Sequence, residues 1–179
     1  MPRHRVRLFV LALLAAVECA AQQPASPSPP PAPKPCALPQ HRQFDFWLGE
    51  WELRDAAGKL AGHNRITSVH NGCALLGEWQ GNGGVTGSSL NLFDKERQRW
   101  HQTWVDSGGG LLTLEGGLED GAMSLRGTST EAGPPAKRSL QRIRWQPQAD
   151  GRVRQLWEAS QDDGKTWTVA FDGWYTRRK

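Results

Sequence analysis

The stretch Phe44-Asp45-Phe46-Trp47-Leu48-Gly49-Glu50-Trp51 is the first strongly apolar run after a long leader rich in proline and alanine. Four aromatic side chains and a glycine fall within these eight residues. We predict a short helical turn over 43–48 that runs directly into a first strand over 49–54. Such a turn, called the plug below, can close one end of a β-barrel while the strand begins the barrel wall.

The chain beyond Trp51 is punctuated by turn signals such as Asn71-Gly72, Asp120-Gly121 and Asp150-Gly151. Asn-Gly and Asp-Gly suit tight hairpins because their central positions accept positive φ. The predicted strands cover 49–54, 60–70, 73–80, 87–94, 99–106, 111–118, 122–129, 138–146, 152–160 and 166–176. About ten strands joined by short turns predict an all-β fold, a closed antiparallel up-and-down barrel that leaves no exposed edge. A two-sheet β-sandwich is the alternative.

The first 39 residues have the composition of a targeting segment and a linker. Residues 1–21 combine a basic start, the apolar run 8–17 and small residues before a cleavage site, which predicts a signal peptide. A lipid anchor at Cys19 is the alternative, although Glu18 stands where a small residue is expected. Residues 22–39 predict a disordered Pro/Ala-rich linker. Residues 40–179 then form the barrel domain, which we expect to be periplasmic or secreted, with no membrane span after signal removal.

Formal net charge is +4, and part of it lies in the leader. That balance is too weak to indicate a nucleic-acid partner. Cys36 and Cys73 are the cysteines that remain after leader removal. Two cysteines in an exported domain favour a disulfide, which would tie the end of the linker to the barrel rim. Two free thiols are the alternative.

Alternation along the strands predicts which side chains point inward, and tryptophan is over-used, at nine residues. The inferred inward face carries these candidate ligand-binding residues: Trp79, Trp100, Gln102, Trp104, Gln141, Trp145, Gln155 and Trp157. Buried amides need hydrogen-bond partners, and a cavity holding water or a ligand supplies them. We therefore expect a non-catalytic barrel that binds a small hydrophobic or amphipathic molecule.

Two other functions compete with this interpretation. In the first, the glutamines bond one another and nearby hydroxyls while indoles fill the interior, which gives a structural or interaction barrel. The second, an enzyme, has less support because no nucleophile–base pair or pair of carboxylates falls on one inward face.

The segment Ser160 to Trp167 fits S-x-D-x-G-x-T-W and resembles the Asp-box, a hairpin turn found in sialidases and other propeller proteins. The resemblance implies that Ser160 and Asp162 hydrogen-bond the turn at Gly164 and that Trp167 packs beneath it. Propellers carry several copies, whereas this chain has one. We therefore expect a structural hairpin with no catalytic part.

Gly49-Glu50-Trp51, preceded by the turn with Trp47, resembles the G-x-W motif of lipocalins and related calycin barrels. That resemblance implies a late arginine packed across the Trp51 indole: Arg177, with Arg178 as the alternative. Together with 100–106 and 160–167, the stretch 44–51 is also similar to an uncharacterised family of exported bacterial proteins. This second resemblance implies a fold and a compartment but no activity.

The segment 77–83 is similar to the glycine-rich signature of nitrobindin-like haem barrels, but it lies on the third predicted strand instead of at the domain start. No histidine stands where that pattern would place a haem ligand. His63, His70 and His101 also lack carboxylate or cysteine partners at metal-ligand spacing. We therefore expect no cofactor and no metal.

Overall fold

The computed structural model of the protein describes residues 35–131 and 133–178. The predicted signal peptide and most of the predicted linker lie outside these residues. Ten strands form the fold: β1 (Gly49–Asp55), β2 (Leu60–Val69), β3 (Ala74–Gly81), β4 (Thr86–Asp94), β5 (Arg99–Asp106), β6 (Leu111–Glu119), β7 (Ala122–Glu131), β8 (Lys137–Pro147), β9 (Val153–Ser160) and β10 (Thr168–Arg177). Three short 3₁₀ turns accompany them: Pro39–Arg42, Asp45–Trp47 and His70–Gly72. Among the described residues, no helix has the length and apolar character needed to span a membrane.

Each strand pairs antiparallel with its neighbours in sequence, and β10 returns to pair with β1. The closing register places Trp51 opposite Arg177 and Leu53 opposite Tyr175. The predicted closed up-and-down barrel is therefore confirmed, and the β-sandwich alternative is wrong because the ten described strands form one closed sheet. Strand ends differ from their predicted positions by no more than two residues.

The plug seals the end of the barrel where β1 begins. Its helical part is a 3₁₀ turn over Asp45–Trp47, shorter than the turn predicted over 43–48. Phe44 and Trp47 are fully buried and stack with ring centroids 4.9 Å apart. The indole of Trp51 donates a 2.7 Å hydrogen bond back to the carbonyl of Trp47. The plug is therefore held by apolar packing and by the first residues of the wall.

Two long-range contacts fasten the chain at the plug end. Cys36 and Cys73 form the predicted disulfide, with a Cα–Cα distance of 5.1 Å, immediately before β3 begins. The guanidinium of Arg177 lies 4.4 Å from the centroid of the Trp51 ring and donates a 2.9 Å hydrogen bond to the Leu48 carbonyl. This is the contact implied by the G-x-W resemblance, and a cation over an indole stabilises by about 1 kcal/mol.

Gly49 is required beneath that arginine. Its φ of +131° lies in the region that side chains disfavour, and an added Cβ would collide with Nη1 of Arg177. The glycine of the G-x-W motif thus leaves room for the Arg177 guanidinium beside the first strand.

The outer wall of β8 to β10 is charged and paired, as alternation predicts. Arg142 forms a bidentate ion pair with Glu158 at 2.7 and 3.0 Å, and Arg154 forms another with Asp172 at 2.8 and 2.7 Å. These pairs bridge neighbouring strands.

The hairpin between β9 and β10 has Asp-box hydrogen bonding. Asp162 accepts bonds from the backbone and hydroxyl of Thr166 at 2.9 and 2.6 Å, and Ser160 Oγ accepts one from the Gly164 amide at 2.9 Å. The Trp167 indole donates to the Gly164 carbonyl at 3.1 Å, and the Arg142 guanidinium lies 4.0 Å from its ring centroid. In this geometry the carboxylate organises a turn.

Candidate ligand cavity

A cavity of about 300 Å³ occupies the half of the barrel interior away from the plug. Its floor is formed by Trp47, Trp145 and Tyr175. Its other walls consist mainly of aromatic and aliphatic side chains with a few amides and hydroxyls: Leu53, Asn64, Trp79, Ser89, Gln102, Trp104, Leu112, Ile143, Gln155, Trp157, Ala170 and Phe171. The cavity extends toward the mouth, the end where β1 finishes and β10 begins.

Three aromatic rings near the mouth lie against glycines. A Cβ added to Gly62 would fall 2.6 Å from the Trp79 ring, and one added to Gly87 would fall 2.5 Å from the Trp104 ring. Gly62 and Gly87 belong to the strands that pair with those of the two tryptophans. Because these positions have no side chain, the indoles can settle against the barrel wall instead of meeting across its centre.

The Phe171 ring also lies against a glycine, in this case Gly173 on the same strand. A Cβ added to Gly173 would lie 2.5 Å from the Phe171 ring. Glycines in contact with large rings therefore help to leave the mouth half of the interior hollow.

A chain of amides crosses the wall from β3 to β5. Gln102 donates a 2.6 Å hydrogen bond from Nε2 to Oδ1 of Asn91. The Asn91 amide nitrogen in turn donates to the Leu75 carbonyl at 3.1 Å and to Oγ of Ser89 at 3.0 Å. Gln102 is thus held by other protein groups while its side chain reaches the cavity.

A second polar chain lies near the closure of the barrel. The Tyr175 hydroxyl donates a 2.7 Å hydrogen bond to Oε1 of Gln155 and accepts a longer one, 3.4 Å, from Asn64. Burial raises the pKa of Tyr175 above its ordinary value. The phenol therefore stays neutral and keeps the proton that it donates.

The structure gathers six of the eight predicted ligand-binding residues on the cavity: Trp79, Gln102, Trp104, Trp145, Gln155 and Trp157. The other two point inward but lie elsewhere. Trp100 packs against Phe44 at the plug end and donates a 3.1 Å hydrogen bond to Gln43. Alternation assigns a side chain to the inner face but does not give its height along the barrel axis.

Gln141 is the second of these two residues. Its amide nitrogen donates to Ser129 and Ser139 at 2.9 and 3.1 Å, and its oxygen accepts a 2.6 Å hydrogen bond from the Trp157 indole. All three inward glutamines therefore have protein partners, but only the Gln141 amide is engaged by the protein at both ends, whereas Gln102 and Gln155 each use one end. Gln141 instead orients Trp157.

Several lining residues escaped the sequence-based set, among them Asn64, Ser89, Phe171 and Tyr175. The signal that identifies them is the same alternation, applied to β2, β4 and β10. On those strands, a polar residue at an inward position, such as Asn64 or Ser89, is the clearest sign of a lining residue.

The chemistry of the lining is neutral. None of the described residues that line the cavity carries a formal charge. Nowhere in the described part of the chain do three His, Cys, Asp or Glu side chains come together as a metal site. His101 lies on the outer face and contacts the Thr103 hydroxyl at 2.8 Å. The cavity is thus equipped for hydrogen bonding and apolar contact.

No protein-family model matches the sequence, and no curated protein matches it.

Proposed function

We propose that this protein is an exported barrel that binds a small, largely apolar molecule in its interior without catalysing a reaction. The observation that carries the proposal is the cavity of about 300 Å³. Its volume lies at the lower end of the range of small-molecule sites, which are typically apolar clefts with a few well-placed polar groups. A monocyclic or bicyclic ligand suits that size.

The lining supports a planar ligand. Trp79, Trp104, Trp157 and Phe171 surround the mouth half, and all four are partly exposed. Aromatic rings interact favourably with another ring in offset or edge-to-face arrangements. Binding without catalysis follows from the neutral lining, which offers no carboxylate, histidine or lysine as a general acid or base.

Export is supported by two features. The leader over 1–21 has the basic, apolar and small-residue order of a signal peptide. The Cys36–Cys73 disulfide suits an oxidising compartment such as the periplasm or the exterior. We also propose membership of the uncharacterised exported family that the sequence resembles, with a calycin-like barrel.

A structural or interaction role is the second candidate. The observation that favours it is that Gln102, Gln141 and Gln155 all form hydrogen bonds within the protein. A barrel of this kind would use the same aromatic residues as a core and meet its partner on the outer wall.

Filling the cavity separates the two candidates. We expect protein purified without added ligand to carry a small molecule in native mass spectra, or to gain thermal stability with compounds from a library of planar metabolites. Leu112→Trp should abolish both the bound molecule and the gain in thermal stability, because Leu112 lines the cavity. Thr113→Trp is the matched control, since Thr113 is the exposed neighbour on the same strand.

Circular dichroism should show that both variants are folded. If wild-type protein carries nothing and responds to no compound, or if Leu112→Trp responds like wild type, the binding function is wrong and the structural role replaces it.

A further inference from the structure

We propose that Gln102 selects the ligand, and that the cavity accepts an uncharged planar molecule with a hydrogen-bond donor at one end and an acceptor at the other. This inference rests on the proposed binding function and goes beyond it by giving the chemical class of the ligand.

The orientation of the Gln102 amide is set by a backbone carbonyl. The Leu75 carbonyl only accepts hydrogen bonds, so the group of Asn91 that faces it at 3.1 Å is the NH₂. The Asn91 oxygen must then be the atom that faces Gln102, and the Gln102 group at 2.6 Å from it must be the NH₂. By elimination, Oε1 of Gln102 is left as the free end of this chain.

That oxygen is accessible. Oε1 of Gln102 accepts no hydrogen bond from the described residues. Even so, it is not one of the unpartnered polar atoms that are sealed off from solvent. Since Gln102 is nearly fully buried and lines the cavity, the cavity is the space that this oxygen meets. A ligand N–H or O–H at this point would therefore gain a hydrogen bond to Gln102.

On the opposite wall, the group that faces a ligand is a hydrogen-bond donor, the amide nitrogen of Gln155. Gln155 uses Oε1 to accept the Tyr175 hydroxyl, and its Nε2 has no partner among the described residues. Like Oε1 of Gln102, this nitrogen is not one of the unpartnered polar atoms that are sealed off from solvent. Three strands, β6 to β8, separate β5 with Gln102 from β9 with Gln155. The acceptor and the donor thus stand on well-separated parts of the ring.

Each of these amides lies two residues from an indole on the mouth side. Trp104 follows Gln102, and Trp157 follows Gln155. Both indole N–H groups are engaged by the protein: Trp104 donates to Asp106 at 3.3 Å and Trp157 to Gln141 at 2.6 Å. The indoles therefore offer the ligand apolar contact, and the two amides supply the polar recognition.

The neutral lining excludes charged ligands. A carboxylate or ammonium group that entered the cavity would lose hydration and find no opposite charge among the described lining residues. That loss costs several kcal/mol in a poorly hydrated site. Neutral polar groups lose far less, and the two amides replace their hydrogen bonds to water.

Three benzene derivatives test the inference by calorimetry at about pH 6. 4-Hydroxyacetophenone is neutral and planar, with a donor and an acceptor at opposite ends. 4-Methoxyacetophenone lacks the donor, and 4-hydroxybenzoate carries a charge. We expect wild-type protein to bind 4-hydroxyacetophenone about tenfold more tightly than the methoxy compound, the usual effect of one hydrogen bond to a buried group. 4-Hydroxybenzoate should show no measurable binding.

Gln102→Met removes the amide at similar length. It should weaken binding of 4-hydroxyacetophenone about tenfold and change binding of the methoxy compound less than about twofold. Gln146→Met, at an exposed position on β8, is the matched control and should leave both affinities unchanged.

The outcomes separate the two proposals. If none of the three compounds binds to wild-type protein, this inference is overturned, while the binding function is decided separately by the native mass spectra and the library screen. If the hydroxy and methoxy compounds bind equally to wild type, the cavity binds ligands but Gln102 does not select them, and only this inference is overturned. That second comparison needs no variant, so it holds even if Gln102→Met does not fold.

Discussion

The two ends of the barrel interior use aromatic side chains in opposite ways. At the plug end, Phe44 stacks on Trp47 and meets Trp100 and Trp145 with centroids 5.6 and 5.4 Å away. At the mouth, Trp79 and the other large rings lie against glycines or are hydrogen-bonded to the wall. The comparison teaches that the number of aromatic residues does not decide whether a barrel is filled. The residue facing each ring decides it.

We expect the largest effect from truncating the plug. Phe44→Ala should lower the free energy of unfolding by about 3–5 kcal/mol because it leaves a cavity among fully buried rings. Phe171→Ala is the matched change at the mouth and should cost less than about 2 kcal/mol, since that ring is partly exposed. Urea denaturation of both variants measures the difference. Equal losses would show that the two ends do not differ in packing.

Removing the disulfide should have the next largest effect. Replacing Cys36 and Cys73 together by serine should lower the free energy of unfolding by about 2–4 kcal/mol, because the bridge restrains the unfolded chain. Ligand affinity at the mouth should stay the same. Reductant should destabilise the wild type to a similar extent and leave the double variant unaffected. A wild type that is indifferent to reductant would contradict this expectation.

Filling a glycine position at the mouth should affect both stability and binding. In Gly87→Ala the new Cβ would lie 2.5 Å from the Trp104 ring and 2.8 Å from the Val105 carbonyl oxygen, so the ring must move. We expect a loss of about 1–3 kcal/mol and weaker binding of 4-hydroxyacetophenone. Gly83→Ala is the control, because a Cβ there meets nothing within 4 Å. Unchanged affinity in Gly87→Ala would show that the glycine does not keep the cavity open.

The smallest effect concerns the Asp-box hairpin at the mouth. Hydrogen bonds from Thr166, and then from Ser160, lower the pKa of Asp162 from 3.8 to about 2. A carboxyl whose pKa is lowered by folding contributes stability above its unfolded pKa and loses it as pH falls through the folded value. Asp162→Asn should therefore flatten the loss of stability between about pH 4 and pH 2.

Asp163→Asn is the matched control for the hairpin, since Asp163 is its exposed neighbour. Thermal unfolding measured across that pH range compares the variants with wild type. A pH profile of Asp162→Asn that coincides with the wild-type profile would mean that this carboxyl does not contribute.

Local patterns in the sequence were sufficient to predict the fold. Turn pairs such as Asn71-Gly72 mark the hairpins, and the two-residue period assigns inner and outer faces, because both signals depend on neighbouring residues alone. The disulfide could also be predicted, since Cys36 and Cys73 are the cysteines left beyond the predicted leader. The inward orientation of Gln102, Trp104 and Gln155 follows from the same period.

The tertiary structure decided what those inward residues do. Trp100 and Trp104 share a face and are four residues apart, yet one packs beneath the plug and the other lines the cavity. Their roles depend on which side chain lies across the barrel or on the next strand, and strand stagger sets that pairing. For the same reason, the glycine facing Trp104 and the carbonyl that orients Asn91 come from other strands. Alternation within one strand carries no information about contacts between strands, so the hollow half of the barrel became visible only when the strands were assembled.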